Sequence, residues 1–293
     1  MSSTLSITHD GVGLHVEVNG PAGAVPIVFL HGVMSSGRTW GWLPEEVTQR
    51  HRIVRIDFRG HGRSDHKPGY TVADYAADVL AVLEDVGTPA VLVGHSLGGV
   101  VAWWVAQKHP GHVAAAFLED PPLFAAELSE ERAGRAREIF HLLLANVLSY
   151  RAERLSVEAI SKRIGDSPSG PGGVHTFREI ATADGVDAMA FGLSRLDVRV
   201  IEGAIDGSTL ASTDVRSPVK PPVTILAADD AFGAAFSVSD QKRLAQTHPT
   251  VKVIRVMGCG HGIHDDRRHR ETFVRHLCRF LDTHAPRVHQ KSV

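Results

Sequence analysis

A single serine between glycines is the first residue of this chain whose surroundings suggest chemistry. Residues 93–99 read VGHSLGG, which places Ser96 in the pattern G-x-S-x-G between a short apolar run and a longer one. Glycines around a sharp strand-to-helix turn let backbones approach where a Cβ would clash. The turn exposes the serine hydroxyl at the positive end of the helix dipole, which favours a developing anion. We therefore predict that Ser96 is a nucleophile.

A serine hydroxyl at neutral pH needs a general base to become a nucleophile. The chain contains 18 histidines, and His261 directly follows the last predicted strand, in GCGHGIH. A loop at that position reaches the carboxyl edge of the sheet, where Ser96 is also expected. His264, three residues later, is a weaker candidate, and His95 is expected to pack against the sheet.

Stabilisation of an oxyanion would require backbone donors beside the serine. The segment His31-Gly32-Val33-Met34 follows an early predicted strand. The N–H groups of Val33 and Leu97 are predicted to form an oxyanion hole. His31 is then expected to be a structural hydrogen-bonding residue rather than the base.

Short apolar runs separated by helical patterns must position these residues. Strands are predicted at 14–18, 25–30, 52–57, 90–93, 113–118, 222–227 and 251–256, and helices at 72–87, 98–110 and 270–284. Buried strands that alternate with helices predict an α/β fold, in which a mainly parallel central sheet carries helices on both faces.

One region interrupts this alternation. Residues 121–213 contain no convincing strand and read as a helical lid, with helices at 129–155 and 176–196 and a loop at 165–173. Residues 1–120 and 214–293 are then predicted to form the first and second parts of the α/β core.

The composition argues against several classes of partner. A net charge of −2 in 293 residues favours neither nucleic acid nor a membrane surface, and no window resembles a signal peptide or a membrane span. Two cysteines do not form a disulfide framework, so a cytoplasmic location is expected. No phosphate-binding glycine motif occurs, and HGIHDD does not match the spacing of dinuclear zinc hydrolases. We therefore expect neither a cofactor nor a metal.

Four segments resemble the α/β-hydrolase family, in its lidded group of esterases, lactonases and carbon–carbon hydrolases. They are FLHGVMSSGRTW, RIDFRGHGRSD, VGHSLGGVVAWWVAQKHP and GCGHGIHDD, and they occur in the family's order. The resemblance implies a nucleophile at Ser96, a base at His261 and oxyanion donors at Val33 and Leu97. A serine nucleophile argues against haloalkane dehalogenases and most epoxide hydrolases, which use aspartate.

The acid of the implied triad has two candidate positions. Most of the family carry it about nine residues past the proline that corresponds to Pro222, where this chain has Ala231. Asp229 and Asp230 lie just before that position. Some relatives place the acid about 24 residues past the nucleophile, where this chain has Asp120, preceded by Glu119. We predict Asp120, and keep the later pair and Glu119 as alternatives.

The expected function is that of a serine hydrolase (a carboxylesterase or lactonase) that cleaves a small ester or lactone through an acyl-enzyme. A cofactor-free carbon–carbon hydrolase and a non-catalytic ligand-binding module on the same fold are the alternatives. The oligomeric state stays open between monomer and homo-oligomer. Four apolar lid residues are candidates for the substrate pocket: Phe124, Phe140, Met189 and Phe191.

Overall fold

A large sheet forms the centre of the molecule in the computed structural model, which describes residues 3–285. The described residues contain ten strands: β1 (Ser3–His9), β2 (Val12–Asn19), β3 (Pro26–Leu30), β4 (Arg52–Ile56), β5 (Ala90–His95), β6 (Val113–Glu119), β7 (Pro168–Ser169), β8 (His175–Thr176), β9 (Val223–Ala227) and β10 (Lys252–Arg255). Strands β7 and β8 pair only with each other, and the other eight form the central sheet in the order β1-β2-β4-β3-β5-β6-β9-β10.

The sheet is parallel except at its N-terminal edge. Strand β2 pairs antiparallel with both β1 and β4, whereas every other pair in the central sheet is parallel. The parallel strands therefore end at one edge of the sheet, and the loops after β3, β5, β6 and β10 meet there. The prediction of a mainly parallel α/β sheet is confirmed.

Helices cover both faces of the sheet. They are α1 (Glu45–Thr48), α2 (Val72–Val86), α3 (Leu97–Lys108), α4 (Glu130–Ala152), α5 (Val157–Gly165), α6 (Phe177–Ile180), α7 (Ala183–Arg195), α8 (Val198–Ile205), α9 (Val238–Thr247) and α10 (Arg270–His284). The predicted helix at 270–284 has the predicted bounds, and those at 72–87 and 98–110 differ by one or two residues at their ends.

Alternate side chains of the buried strands enter two separate apolar cores. In β3, Val28 and Leu30 pack with α2 and α3, whereas Ile27 and Phe29 pack with α10 on the other face. All five residues of β3 are buried, which explains why its sequence is a continuous apolar run rather than an alternating one.

The chain between β6 and β9 is mostly helical. We call residues 121–213 the helical insertion; α4 to α8 lie within it. The expectation that this region contains no strand was wrong, because β7 and β8 form a two-stranded antiparallel ribbon inside the predicted loop and just after it. These strands are only two residues long, too short to show an alternating pattern in the sequence. Within residues 3–285, no helix has the length and apolar character needed to cross a membrane.

Candidate active site

Ser96 stands at the turn between β5 and α3 in a strained backbone conformation. Its φ is 52° and its ψ is −117°, a combination that costs free energy for a residue with a side chain. An ideal Cβ on Gly94 would lie 2.3 Å from the Gly98 carbonyl oxygen, and one on Gly98 would lie 2.3 Å from the Leu30 oxygen. The glycines that bracket the serine are therefore required by close backbone contact, which is the reason the motif has this spacing.

The loop after β3 lies directly against the serine turn. An ideal Cβ on Gly32 would lie 3.3 Å from the Ser96 Cβ. Within residues 3–285, the backbone N–H groups of Val33 and Leu97 have no hydrogen-bond partner. Leu97 is the first residue of α3, so its N–H is one of the helix donors that have no intrahelical acceptor.

His31 holds the peptide that carries the Val33 N–H. Its Nδ1–H donates to the Gly32 carbonyl at 2.8 Å, and its Nε2 accepts from the Phe58 N–H at 3.0 Å. The Gly32 carbonyl and the Val33 N–H belong to the same peptide unit, so this hydrogen bond sets the direction of the N–H. Burial lowers the pKa of His31 to about 4, so the ring is neutral. The structure thus gives His31 the hydrogen-bonding role predicted from the sequence.

Asp120 and His261 are hydrogen-bonded to each other. The Nδ1–H of His261 donates to Asp120 Oδ2 at 2.7 Å. The buried Asp120 carboxylate also accepts three backbone N–H groups, from Ala228 at 3.1 Å, Ala235 at 2.7 Å and Phe236 at 3.2 Å. Burial raises the pKa of Asp120, but His261 and these amides outweigh it and hold the pKa below its usual value.

The alternative carboxylates face other groups. Asp229 accepts the backbone N–H groups of Gly258 at 2.8 Å and Ala231 at 3.0 Å. Asp230 caps the start of α9 and forms an ion pair with Arg255 at 3.1 Å. Glu119 pairs with His264. Of the four acids considered, the structure brings Asp120 to His261.

Ser96 and Asp120 both have strained backbone conformations. The described residues contain four non-glycine residues with positive φ, namely Asp10, Ser96, Asp120 and Arg154. Two of the four are the predicted nucleophile and the predicted acid. Strained backbone conformations of this kind concentrate at functional sites.

The helical insertion contacts the loops that carry these groups. At α7, an ideal Cβ on Gly192 would lie 2.6 Å from the Met34 oxygen, so the helix packs directly on the residue after Val33. The Thr182 N–H, just before α7, donates to the Asp265 carbonyl at 2.8 Å, in the loop that carries His261.

The four predicted pocket residues lie in different surroundings. Phe124 is buried and its ring centroid lies 6.5 Å from that of Phe236, whose N–H contacts Asp120. Phe140 and Met189 are partly buried and pack against the core. Phe191 is buried beneath the Arg38 guanidinium, whose Cζ is 4.0 Å from the ring centroid. Sequence reasoning did not find the Glu119–His264 pair; the sequence shows only two adjacent acids in LEDPP and two histidines three residues apart in HGIH, not which acid contacts which histidine.

Two groups of residues could offer ligands to a metal ion. In the described part of the chain, the ligand atoms of His95, Glu119 and His264 lie within 4.8 Å of one another, and so do those of Cys259, Asp266 and His269. Each group contains a carboxylate–imidazole hydrogen bond, at 2.7 Å in the first and 3.1 Å in the second. A metal would have to replace those bonds. Both cysteines of the chain are free thiols.

Comparison with known proteins identifies the family. A family model described as "Alpha/beta hydrolase family" matches residues 27–275. The chain belongs to the alpha/beta hydrolase family. This α/β-hydrolase is 30% identical to the bifunctional esterase/perhydrolase DCH of Acinetobacter calcoaceticus, over 87% of this chain and 92% of that protein.

Two further similar proteins are a lipase and a lactone-degrading enzyme. This α/β-hydrolase is 36% identical to the lipase LipV of Mycobacterium tuberculosis over 46% of its own chain, and it spans about half the length of that relative, 49%. Among solved structures, Est816, described as an N-acyl homoserine lactone degrading enzyme, superposes with a TM-score of 0.69 at 24% identity. That superposition covers 94% of this chain and all of the other, and at this identity it supports the fold alone.

Proposed function

We propose that this α/β-hydrolase is a serine esterase or lactonase in which Ser96, His261 and Asp120 form the catalytic triad. The observation that supports the proposal most is the 2.7 Å hydrogen bond from His261 Nδ1 to a buried aspartate. That bond leaves Nε2 unprotonated in the neutral ring, which is the form a general base requires. The relatives named esterase and lipase support an ester as the substrate class, and a lactone is a cyclic ester with the same reacting bond.

The proposed first half of the reaction forms an acyl-enzyme. The Ser96 hydroxyl gives its proton to His261 Nε2 while its oxygen bonds to the carbonyl carbon. The carbonyl oxygen becomes an oxyanion that accepts hydrogen bonds from the Val33 and Leu97 N–H groups. The carbon–oxygen bond to the alcohol then breaks, and the alcohol oxygen takes the proton from His261.

The proposed second half releases the acid. A water molecule gives a proton to His261 and its oxygen bonds to the acyl carbon. The bond to Ser96 then breaks, and the serine oxygen takes that proton back. With an ester the products are an acid and an alcohol. With a lactone both groups remain in one hydroxy acid. Asp120 stabilises the imidazolium in both halves without itself accepting a proton.

We assign the helical insertion as the lid of this site. Its contacts at Met34 and Asp265 join it to the loop of Val33 and to the loop of His261. Because the insertion lies over the same sheet edge as Ser96, its apolar side chains are available to line an acyl or alcohol pocket. The lining residues we propose are Phe124, Phe140, Met189 and Phe191.

The test is turnover on a graded panel of p-nitrophenyl esters and lactones. The proposal expects many turnovers per enzyme molecule on at least one of them. A protein that binds members of the panel but releases no product would be a ligand-binding module instead. A protein that cleaves a 1,3-diketone and none of the esters or lactones would be a carbon–carbon hydrolase.

A further inference from the structure

Two adjacent acids at the end of β6 hold two histidines of one loop. Asp120 contacts His261, and its neighbour Glu119 contacts His264, three residues further along the same loop. Glu119 holds His264 at two points: Oε1 accepts the backbone N–H at 2.8 Å, and Oε2 accepts the ring Nδ1–H at 2.7 Å. Both side chains are fully buried, and neither takes part in the proposed reaction.

His264 uses both ring nitrogens as donors. Its Nε2–H faces Thr39 Oγ1 at 3.0 Å and Asp265 Oδ2 at 3.3 Å. Burial lowers the pKa of His264, but the Asp265 and Glu119 carboxylates outweigh it and raise the pKa to about 10. The ring is therefore a buried imidazolium at neutral pH.

Further groups pack around this ring from each neighbouring element. The Trp40 ring stacks on it at 4.3 Å between centroids, and His95, at the end of β5, lies edge-on at 4.9 Å. Phe273 of α10 lies at 5.9 Å, and Arg270 donates to the His264 carbonyl at 2.8 Å. Burial lowers the pKa of His95 to about 4, so His264 is the charged member of this histidine pair.

These contacts connect three segments of the proposed site. Thr39 and Trp40 belong to the 3₁₀ helix that follows the Val33 loop. His95 Nε2–H donates to the His261 carbonyl at 3.1 Å, so the backbone of the base is held from the same side. The Glu119–His264 pair thus lies between the strand end that carries Asp120, the loop that carries His261 and the segment that follows the oxyanion loop.

We propose that Glu119 and His264 are positioning residues, whose buried ion pair fixes the His261 loop relative to Asp120 and to the Val33 loop. The proposal rests on the proposed function, because it assigns the pair to the same triad. This positioning role differs from a purely structural one because it requires a doubly protonated His264 ring. A neutral imidazole has a single N–H, whereas Glu119 Oε2 and Asp265 Oδ2 each face one ring nitrogen and can only accept.

Glu119→Gln tests this requirement because it keeps the shape of the side chain and removes its charge. His264 then loses one of its two carboxylates and becomes neutral at a lower pH. The loop that carries His261 and His264 then loses one N–H donor contact of the His264 ring, so His261 is held less firmly. A displacement of about 1 Å at a catalytic group costs on the order of 10²-fold in rate. We expect kcat to fall by roughly 10-fold to 10²-fold at pH 8, with KM changed by less than about threefold.

The decisive signature is how this loss depends on pH. The ratio of wild-type to variant kcat should rise between pH 6 and pH 9, as His264 loses its proton in the variant alone. Glu119→Asp keeps the charge, so the ratio of wild-type kcat to the kcat of Glu119→Asp should not change with pH. Glu271→Gln, an exposed acid of α10, is the matched control and should lie within about twofold of wild type. A Glu119→Gln ratio that is the same at every pH would overturn the proposal.

A measurement on the unmodified enzyme covers the case in which Glu119→Gln does not fold. Histidine ¹⁵N NMR should show His264 doubly protonated at pH 8, and its signal is assigned from a His264→Gln sample. A neutral His264 at pH 7 would overturn the positioning role. This readout does not depend on turnover: loss of the proposed function would instead appear as Ser96→Ala retaining activity while the His264 signal is as expected.

Discussion

Replacing Asp120 by Asn changes one atom at the end of β6. The backbone N–H groups of Ala228 and Phe236 donate to Oδ1, whereas the Ala235 N–H and His261 Nδ1–H donate to Oδ2. The amide oxygen of Asn satisfies the first two donors best, so its NH₂ group takes the place of Oδ2. That NH₂ faces two donors, and His261 can meet it only by moving its proton to Nε2.

This tautomer is the wrong one for a general base, because Nε2 can then no longer take the proton of Ser96. In a well-studied serine triad the same exchange costs about 10⁴-fold in kcat. We expect a loss of at least roughly 10²-fold here. The Ala235 N–H also loses its acceptor, which costs about 1–3 kcal/mol in the free energy of unfolding.

The assay compares kcat on the best ester of the panel for Asp120→Asn, Asp229→Asn and Asp230→Asn. Circular dichroism at the assay temperature ensures that folded proteins are compared. Asp229→Asn and Asp230→Asn each keep one side-chain oxygen, which still accepts at least one of the hydrogen bonds made by the aspartate. We expect kcat of each of these two variants to fall by less than about tenfold. The reverse ranking would refute the assignment of Asp120 as the acid.

Three further predictions follow from the same contacts. Gly98→Ala should leave no enzyme activity in the soluble fraction, because its Cβ would lie 2.3 Å from the Leu30 oxygen. Gly134→Ala in α4, where no atom beyond its chain neighbours and its own helix backbone lies within 4 Å of the added Cβ, should leave kcat unchanged. Equal activity of the two variants would contradict this account of the turn. The pKa of His264 is raised to about 10, so its contribution to stability is complete below the unfolded-state pKa of about 6.5. This contribution should be lost progressively as the pH rises towards 10, so the Tm of wild type should fall over that range. The Tm of His264→Gln should fall less, and equal falls in the two proteins would argue against a charged His264. Incubation with EDTA should leave esterase activity unchanged, since no step of the proposed reaction uses a metal; inactivation that zinc reverses would argue for a metal mechanism.

The serine turn could be predicted because its constraint is local. Close backbone contact at Gly94 and Gly98 dictates the residue types, so the motif is visible in the sequence. Asp120 was predicted from its distance along the chain to Ser96 in a resembling family, and the structure brings it to His261. The central strands were visible because burial on both faces produces continuous apolar runs.

Elements without such patterns were missed. Helix α9 buries only Asp240 and Leu244, so it shows no apolar stripe with helical spacing. Strand β1 is mostly exposed, although Asp10-Gly11 between β1 and β2 is a two-residue hairpin signal that could have revealed it.

The Glu119–His264 contact could not be derived from the sequence for a different reason. It joins residues 145 positions apart, and it depends on how the loop after β10 folds back on the end of β6. The acids and histidines were visible, but their pairing is a property of the packed structure.

The most direct test of the central claim is to count product turnovers by wild type and by Ser96→Ala on the same ester. The substitution removes one hydroxyl at a turn, so the fold should remain intact by circular dichroism. The account predicts many turnovers per molecule of wild type and a loss of roughly 10³-fold or more in kcat for the variant. A folded Ser96→Ala protein that keeps a tenth of the wild-type rate would contradict it.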